Sequence, residues 1–370
     1  MTKKIKILYV ITSLGIGGAE RLLVSYLKLL DHKKYEFNVV ALWEKPDDLK
    51  KEIEEYCKVM VLKIKSRFSP SVVFHLAKLI RQTKPDIIHS HLFQARFYTA
   101  FAHLISNYGI LITHKHNNVN PKKHNVFILL EMISIFLSKQ VIAISNSVKS
   151  SLCKFELISS KKIFVLHNAI DYEKFFKIAA SNKILIGKPI VIGTICRLEP
   201  QKGINYLLLA MKIILTKFPT VQLEIVGDGS LLQELKELTG KLGISNSVKF
   251  FGKFADVIPF YSRMNIFILP SLYEGFGIVL LEAMSAGIPV IATNVDGIRE
   301  VVINGVSGIL IRREDPEAIA DAVFKIIENP QMADTLVEAG LERSKSFDIK
   351  EHVMKLDNFY SNLLGAESSK

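Results

Sequence analysis

Residues 270–287 read Pro270-Ser271-Leu272-Tyr273-Glu274-Gly275-Phe276-Gly277-Ile278-Val279-Leu280-Leu281-Glu282-Ala283-Met284-Ser285-Ala286-Gly287. The apolar run 265–269 just before them reads as a buried strand, which Pro270 stops. Gly275 and Gly277 leave the following loop free to take positive φ. From Ile278 the pattern turns helical, and Gly287 marks its end as a C-cap. Strand, glycine loop and helix in that order form half of a parallel-sheet crossover, so this stretch decides the fold class. Glu274 falls on the loop and Glu282 about one turn inside the helix. Backbone N–H groups at Gly275–Ile278 lie at the helix's positive end, a ready site for an anion. Two acceptors beside an anion site suit a ligand carrying both hydroxyls and phosphate.

The same alternation extends in both directions. Strands are expected at 190–195, 223–226, 248–251, 266–269, 290–292 and 309–311 in the second half. In the first half they are expected at 5–11, 37–43, 59–64, 86–90, 110–113, 141–144 and 163–166. A polar, less patterned stretch from 172 to 188 is the linker. The expected architecture is therefore α/β: two Rossmann-like parallel-sheet domains, 1–175 and 188–348, facing a central cleft. Ligands should sit beyond the carboxyl ends of the strands. Several loops at those ends carry suitable chemistry. Arg197 and Lys202 follow the strand at 190–195 and are the cations a diphosphate needs. Gly227-Asp228-Gly229 and Phe251-Gly252-Lys253 follow the next two strands.

In the first half, Gly15-Ile16-Gly17-Gly18-Ala19-Glu20 is a glycine turn feeding a helix, fit to hold phosphate or let a sugar approach the backbone. Glu20 stands where the dinucleotide fingerprint needs a third small residue, so that motif is excluded. Histidines cluster at two successive strand ends, His89 and His91, then His114 and His116. With no cysteine or carboxylate clustered beside them, no metal site is expected there. Residues 125–139 are helical in length and apolar nearly all round, with Glu131, Ser134 and Ser138 as the single polar stripe. Burial against the sheet is the first reading of that helix. Contact with a membrane is the second, with Lys122 and Lys123 just ahead of it.

Composition sets the bounds. An apolar content of 49% in 370 residues suits two sheets buried on both faces. Three cysteines, Cys57, Cys153 and Cys196, without a C-x-x-C spacing point to a reducing compartment. The start of the chain enters a strand and not a secretory apolar segment, and no run reaches the length of a spanning helix, so a cytoplasmic location is expected. Residues 1–180 carry 28 basic against 14 acidic residues, a net +14, whereas the remainder carries 20 against 22. A basic half suits nucleic acid or an anionic surface. No base-reading module is present, so nucleic acid is set aside, and an anionic membrane surface such as the inner face of the cell membrane, or an acceptor carrying phosphate, fits better.

The spacing P-S-x-x-E-G-F-G-x-x-x-x-E-A-M-x-x-G resembles the retaining glycosyltransferases of family 4, a two-domain "GT-B" group. Gly193–Gly203, Gly17-Gly18-Ala19-Glu20 and Asn168–Asp171 are similar to that family's elements as well. Departures are Cys196 and Ala169, where glycine is usual, and Arg299, where proline is usual. The resemblance implies transfer of a sugar from a UDP- or GDP-linked donor to a carbohydrate or lipid-linked acceptor in envelope or surface polysaccharide synthesis. It further implies that Arg197 and Lys202 hold the diphosphate, Glu274 the donor sugar and Glu282 the ribose. Gly227, Asp228 and Phe251 would line the nucleoside, and Gly17, Gly18, Gly277 and Ile278 the phosphates. A histidine after the strand at 110–113 would contact the donor sugar, His116 or alternatively His114. No cofactor and no catalytic metal are implied, since no D-x-D appears. The last helix, about 349–364, would return to the first domain. A nucleotide-sugar hydrolase or epimerase on the same frame, or a non-catalytic sugar-nucleotide binder, are the alternatives.

Overall fold

The computed structural model describes residues 3–64, 69–118, 125–179 and 189–368, of which 125–128 and 367–368 are described by backbone alone. Two compact units divide the chain: residues 1–167 with 350–370, and residues 168–349. Each is built on one parallel sheet.

The first sheet has seven strands, β1 Ile5–Ile11, β2 Tyr35–Ala41, β3 Lys58–Val61, β4 Ile87–His91, β5 Ile110–Lys115, β6 Gln140–Ala143 and β7 Ile163–Val165. They lie in the order β3-β2-β1-β4-β5-β6-β7. The second sheet has six, β8 Val191–Ile195, β9 Gln222–Val226, β10 Val248–Gly252, β11 Ile266–Leu269, β12 Val290–Thr293 and β13 Ile309–Ile311, in the order β10-β9-β8-β11-β12-β13. Every described pairing between these strands is parallel. Isoleucine, valine and leucine fill the strands because helices cover both faces. Leu8, Val10, Ile88 and Leu111 pack with helix residues in one core, and Ile192, Leu223, Ile225 and Ile268 in the other.

Both sheets reverse strand order once, between β1 and β4 and between β8 and β11. Loops leaving adjacent strands at such a switch point diverge and leave a crevice at the carboxyl edge. The glycine turn after β1 and the His91 end of β4 meet at the first of these. The Arg197–Lys202 loop and the Glu274 loop meet at the second.

Two boundaries move from their sequence-based positions. The division falls at His167/Asn168 and not at 175, because Ile170 exchanges backbone hydrogen bonds with the far end of the second unit, to Phe347 at 3.0 Å and from Ile349 at 2.8 Å. The stretch expected as linker also holds a short helix, Tyr172–Phe176, whose Phe175 meets Tyr261 edge-on at 5.6 Å. Residues 180–188 lie outside the described set. The final helix, Ile349–Ser368, joins the first unit: the Tyr360 hydroxyl bonds Tyr9 at 3.2 Å and His89 at 2.6 Å. No helix among the described residues is long and apolar enough to cross a membrane.

Candidate functional site

In the second unit the helix Ile278–Ser285 starts from Gly277, which takes φ 87°. That left-handed conformation strains any residue with a side chain, so glycine is required where the loop turns into the helix. Glu274 Oε2 accepts from the Lys202 ammonium, and Ser271 Oγ donates to the same oxygen at 3.4 Å. The pair is mostly covered, with 13% of Lys202 and 12% of Glu274 exposed. Lys202 is held in place by its backbone: Leu272 N–H donates to Gln201 at 2.8 Å, and a Cβ on Gly203 would overlap the Pro270 carbonyl. Gly297 has no room for a Cβ for the same reason, lying against the Glu274 carbonyl and Gly275. Thr293 Oγ1 donates to Ser271 O at 2.5 Å. Three consecutive strand ends are thereby fastened around one carboxylate.

Glu282 faces a different partner. The buried Tyr261 hydroxyl donates to its Oε2 at 2.7 Å, and burial with the adjacent carboxylate pushes that phenol well above its ordinary range. Tyr261 is thus fixed as a neutral donor that orients Glu282, a role that a lone tyrosine in the apolar run before β11 does not reveal. Arg197 is exposed, and its side chain makes no hydrogen bond or ion pair among the described residues. Gly227 and Gly229 let their loop touch the Arg197 loop, with Leu198 N–H donating to Asp228 O at 2.9 Å. Asp228 itself is exposed. Phe251 packs edge-on to Phe260 at 5.1 Å, with the Arg263 guanidinium 5.1 Å from its ring. The structure therefore brings Arg197, Lys202, Gly227, Asp228, Glu274, Gly277 and Ile278 onto the carboxyl edge of one sheet, with Phe251 and Glu282 on elements leaving the same edge.

In the first unit Gly17 precedes the helix Gly18–Leu29, and nothing lies within 4 Å of where a Gly18 side chain would begin. The histidines behave otherwise than solvated loop residues. β5 runs on to Lys115, and His89, His91 and His114 are all fully buried. His91 Nδ1 and His116 Nε2 lie 3.1 Å apart. Only His116, at the end of β5, is partly open, so it is better placed than His114 to meet a ligand.

The polar stripe of the helix Asn125–Phe136 points inward. Glu131 pairs with Arg96 and Lys115, each at 2.5 Å, and Lys115 reaches Glu156 at 2.8 Å. Leu129 and Phe136 are on the outside, 55% and 77% exposed. A lone acid in an apolar helix and a lysine inside a buried strand were the available signals. Lys122 and Lys123 lie outside the described residues.

Residues 176–343 match the family described as Glycosyl transferases group 1, and residues 16–174 match Glycosyltransferase Family 4. Over the full length of both chains, the protein is 28% identical to the capsular polysaccharide biosynthesis glycosyltransferase CapM of Staphylococcus aureus. It is 26% identical to the UDP-Gal:alpha-D-GlcNAc-diphosphoundecaprenol alpha-1,3-galactosyltransferase of Escherichia coli, across 98% of each. Among solved structures, Anabaena Alr3699/HepE in complex with UDP-glucose superposes with a TM-score of 0.83 at 24% identity, covering 96% of this chain and 99% of that one.

Proposed function

The chain belongs to the family 4 glycosyltransferases, and from that premise we propose that it moves a sugar with retention of configuration from a UDP-linked donor to a lipid-linked envelope acceptor. The observation that carries this reading is the Lys202–Glu274 pair, fastened at the switch point ahead of the helix Ile278–Ser285. The donor assignment is supported by the UDP named for the Escherichia coli relative and by the UDP-glucose bound to the Anabaena fold neighbour. The diphosphoundecaprenol acceptor of that relative supports the lipid-linked class.

In the reaction the bond between the anomeric carbon and the β-phosphate oxygen breaks, and a bond to the acceptor oxygen forms. The acceptor's proton passes to the departing phosphate. Negative charge grows on that phosphate while the sugar becomes oxocarbenium-like. Lys202, Arg197 and the positive end of the helix Ile278–Ser285 stabilise the growing charge, and preorganised groups of this kind often supply most of an enzyme's rate enhancement. Glu274 accepts from sugar hydroxyls, Glu282 from the ribose diol, and His116 hydrogen-bonds the sugar. Gly227, Asp228 and Phe251 line the nucleoside, and Gly17 and Gly18 leave room for phosphate. No cofactor is required by this sequence of steps.

A panel of nucleotide sugars screened by thermal shift identifies the donor, since a bound ligand raises the unfolding midpoint. Product NMR then reads the anomeric configuration. An inverted product defeats the retaining assignment, and release of free sugar without acceptor favours a hydrolase.

Docking on an anionic membrane is part of the same reading. Exposed Leu129, Phe136 and Leu157 belong to the first unit, the basic one. The Lys162 ammonium sits 5.5 Å from the Phe136 ring and donates to its carbonyl. Apolar residues flanked by lysine suit an interface of acyl chains and anionic headgroups. Sedimentation with anionic and neutral vesicles at low salt tests it, and equal recovery on both kinds defeats it.

A further inference from the structure

We propose that His89, His91 and His114 form a binding site for a first-row divalent transition ion, for which zinc is the natural probe. Sheet register creates the cluster. His89 and His91 are two apart on β4 and share a face, and His114 lies directly opposite His91 on β5. All three are fully buried, and one nitrogen from each falls within 4.8 Å of the others.

The hydrogen bonding is one-sided. His89 Nδ1 lies 2.6 Å from the Tyr360 hydroxyl, and His91 Nδ1 lies 3.1 Å from His116 Nε2. His89 Nε2, His91 Nε2 and both nitrogens of His114 have no partner among the described residues. Imidazoles that bind metal ordinarily tie their second nitrogen to an oxygen or nitrogen that fixes the ring, and present the first. Two of these three do so already. Ring stacking, with centroids 4.3–5.3 Å apart, packs the carbons but satisfies no nitrogen.

Expecting no metal here rested on the lack of cysteine or carboxylate neighbours. Three neutral imidazoles suffice for zinc when the fourth position takes water or hydroxide. All three rings are fully buried, an environment that favours the neutral imidazole over the charged one. Arg96 and Lys115, the nearby cations, are matched by Glu131 and Glu156. Through Tyr360 the ion would fix the final helix against β4.

The test uses tag-free, full-length protein stripped with EDTA and titrated with zinc. One tight equivalent is expected, together with a rise in unfolding midpoint. X-ray absorption of the loaded wild type should show three imidazole nitrogens at about 2.0–2.1 Å. His114→Gln should weaken the site by more than the ~10–100-fold that loss of even an orienting partner costs. His75→Ala, on an exposed histidine, should leave it intact. Absence of a tight equivalent, or fewer than three imidazoles around the bound zinc, overturns the proposal. The absorption result stands by itself should His114→Gln fail to fold.

Discussion

Two lysine–glutamate contacts in this protein use the same chemistry in opposite ways. In the first unit Lys115 and Glu131 are 3% and 6% exposed and locked into a network with Arg96 and Glu156. In the second, Lys202 and Glu274 form a smaller contact that is more open, at 13% and 12%. Lys115 is shared by two carboxylates, and Glu131 by two cations. Burial alone would raise the Glu131 carboxyl, but Arg96 and Lys115 outweigh it and hold it at about 2. Lys202 gives one of its three donors to Glu274, which on the proposed reading leaves two for the diphosphate. Geometry thus separates a closed, fully shared network from a simpler contact that the proposed function assigns to chemistry.

Breaking each contact should expose the difference. Glu131→Ala leaves the buried Arg96 without its carboxylate and Lys115 with Glu156 alone, and should cost about 3–5 kcal/mol, read by urea unfolding. Lys202→Ala should alter the same curve by less, because the contact is smaller and more open. Were the two losses equal, the contrast would collapse. Turnover should reverse the ranking: Lys202→Ala is expected to lower it by ~10²-fold, measured with saturating donor. Unchanged turnover would remove Lys202 from the diphosphate.

A finer division lies between the two carboxylates of the second unit. Glu282→Gln should weaken plain UDP and UDP-sugar alike in calorimetry, whereas Glu274→Gln should weaken only the sugar nucleotide. Tyr261→Phe should follow Glu282→Gln at about 1 kcal/mol, the net worth of one hydrogen bond. Matching losses for both ligands in both glutamine variants would abolish the division.

A further effect is in acid. The Glu131 carboxyl lies below its ordinary 4.5 in the folded state, so the unfolded chain takes up that proton first. Its stabilisation is whole above about pH 4.5 and is lost as pH falls towards 2. Glu156, raised by burial despite Lys115, acts in the other direction. A series of thermal midpoints should therefore show a shallower acid limb in Glu131→Gln than in the wild type.

Strands are the most legible part of the sequence, because runs such as 7–11, 266–269 and 309–311 are apolar throughout and give way to polar residues or proline. β5 reads short at its end, since His114 and Lys115 look like loop residues when each is judged alone. They remain in the strand because Lys115 pairs with buried Glu131 and Glu156 while His114 packs against the rings of His89, His91 and His116. The glycine loops are legible because few residues can replace Gly203 and Gly297, where backbones approach closely, or Gly277, whose φ is positive. Tyr261 and the inward polar stripe of the helix Asn125–Phe136 are not. Their partners lie far away in sequence, and periodicity reports which residues share a face but not which way that face turns.

The return of residues 350–370 to the first unit makes an order of synthesis unavoidable. A ribosome releases the seven-stranded sheet early, yet the helix that supplies Tyr360 to Tyr9 and His89 emerges only after the whole second unit. The continuous segment 168–349 can close while the earlier one still shows a bare aromatic face to solvent or to a chaperone. Domains usually finish in the order in which they are made. Here the domain begun first is finished second.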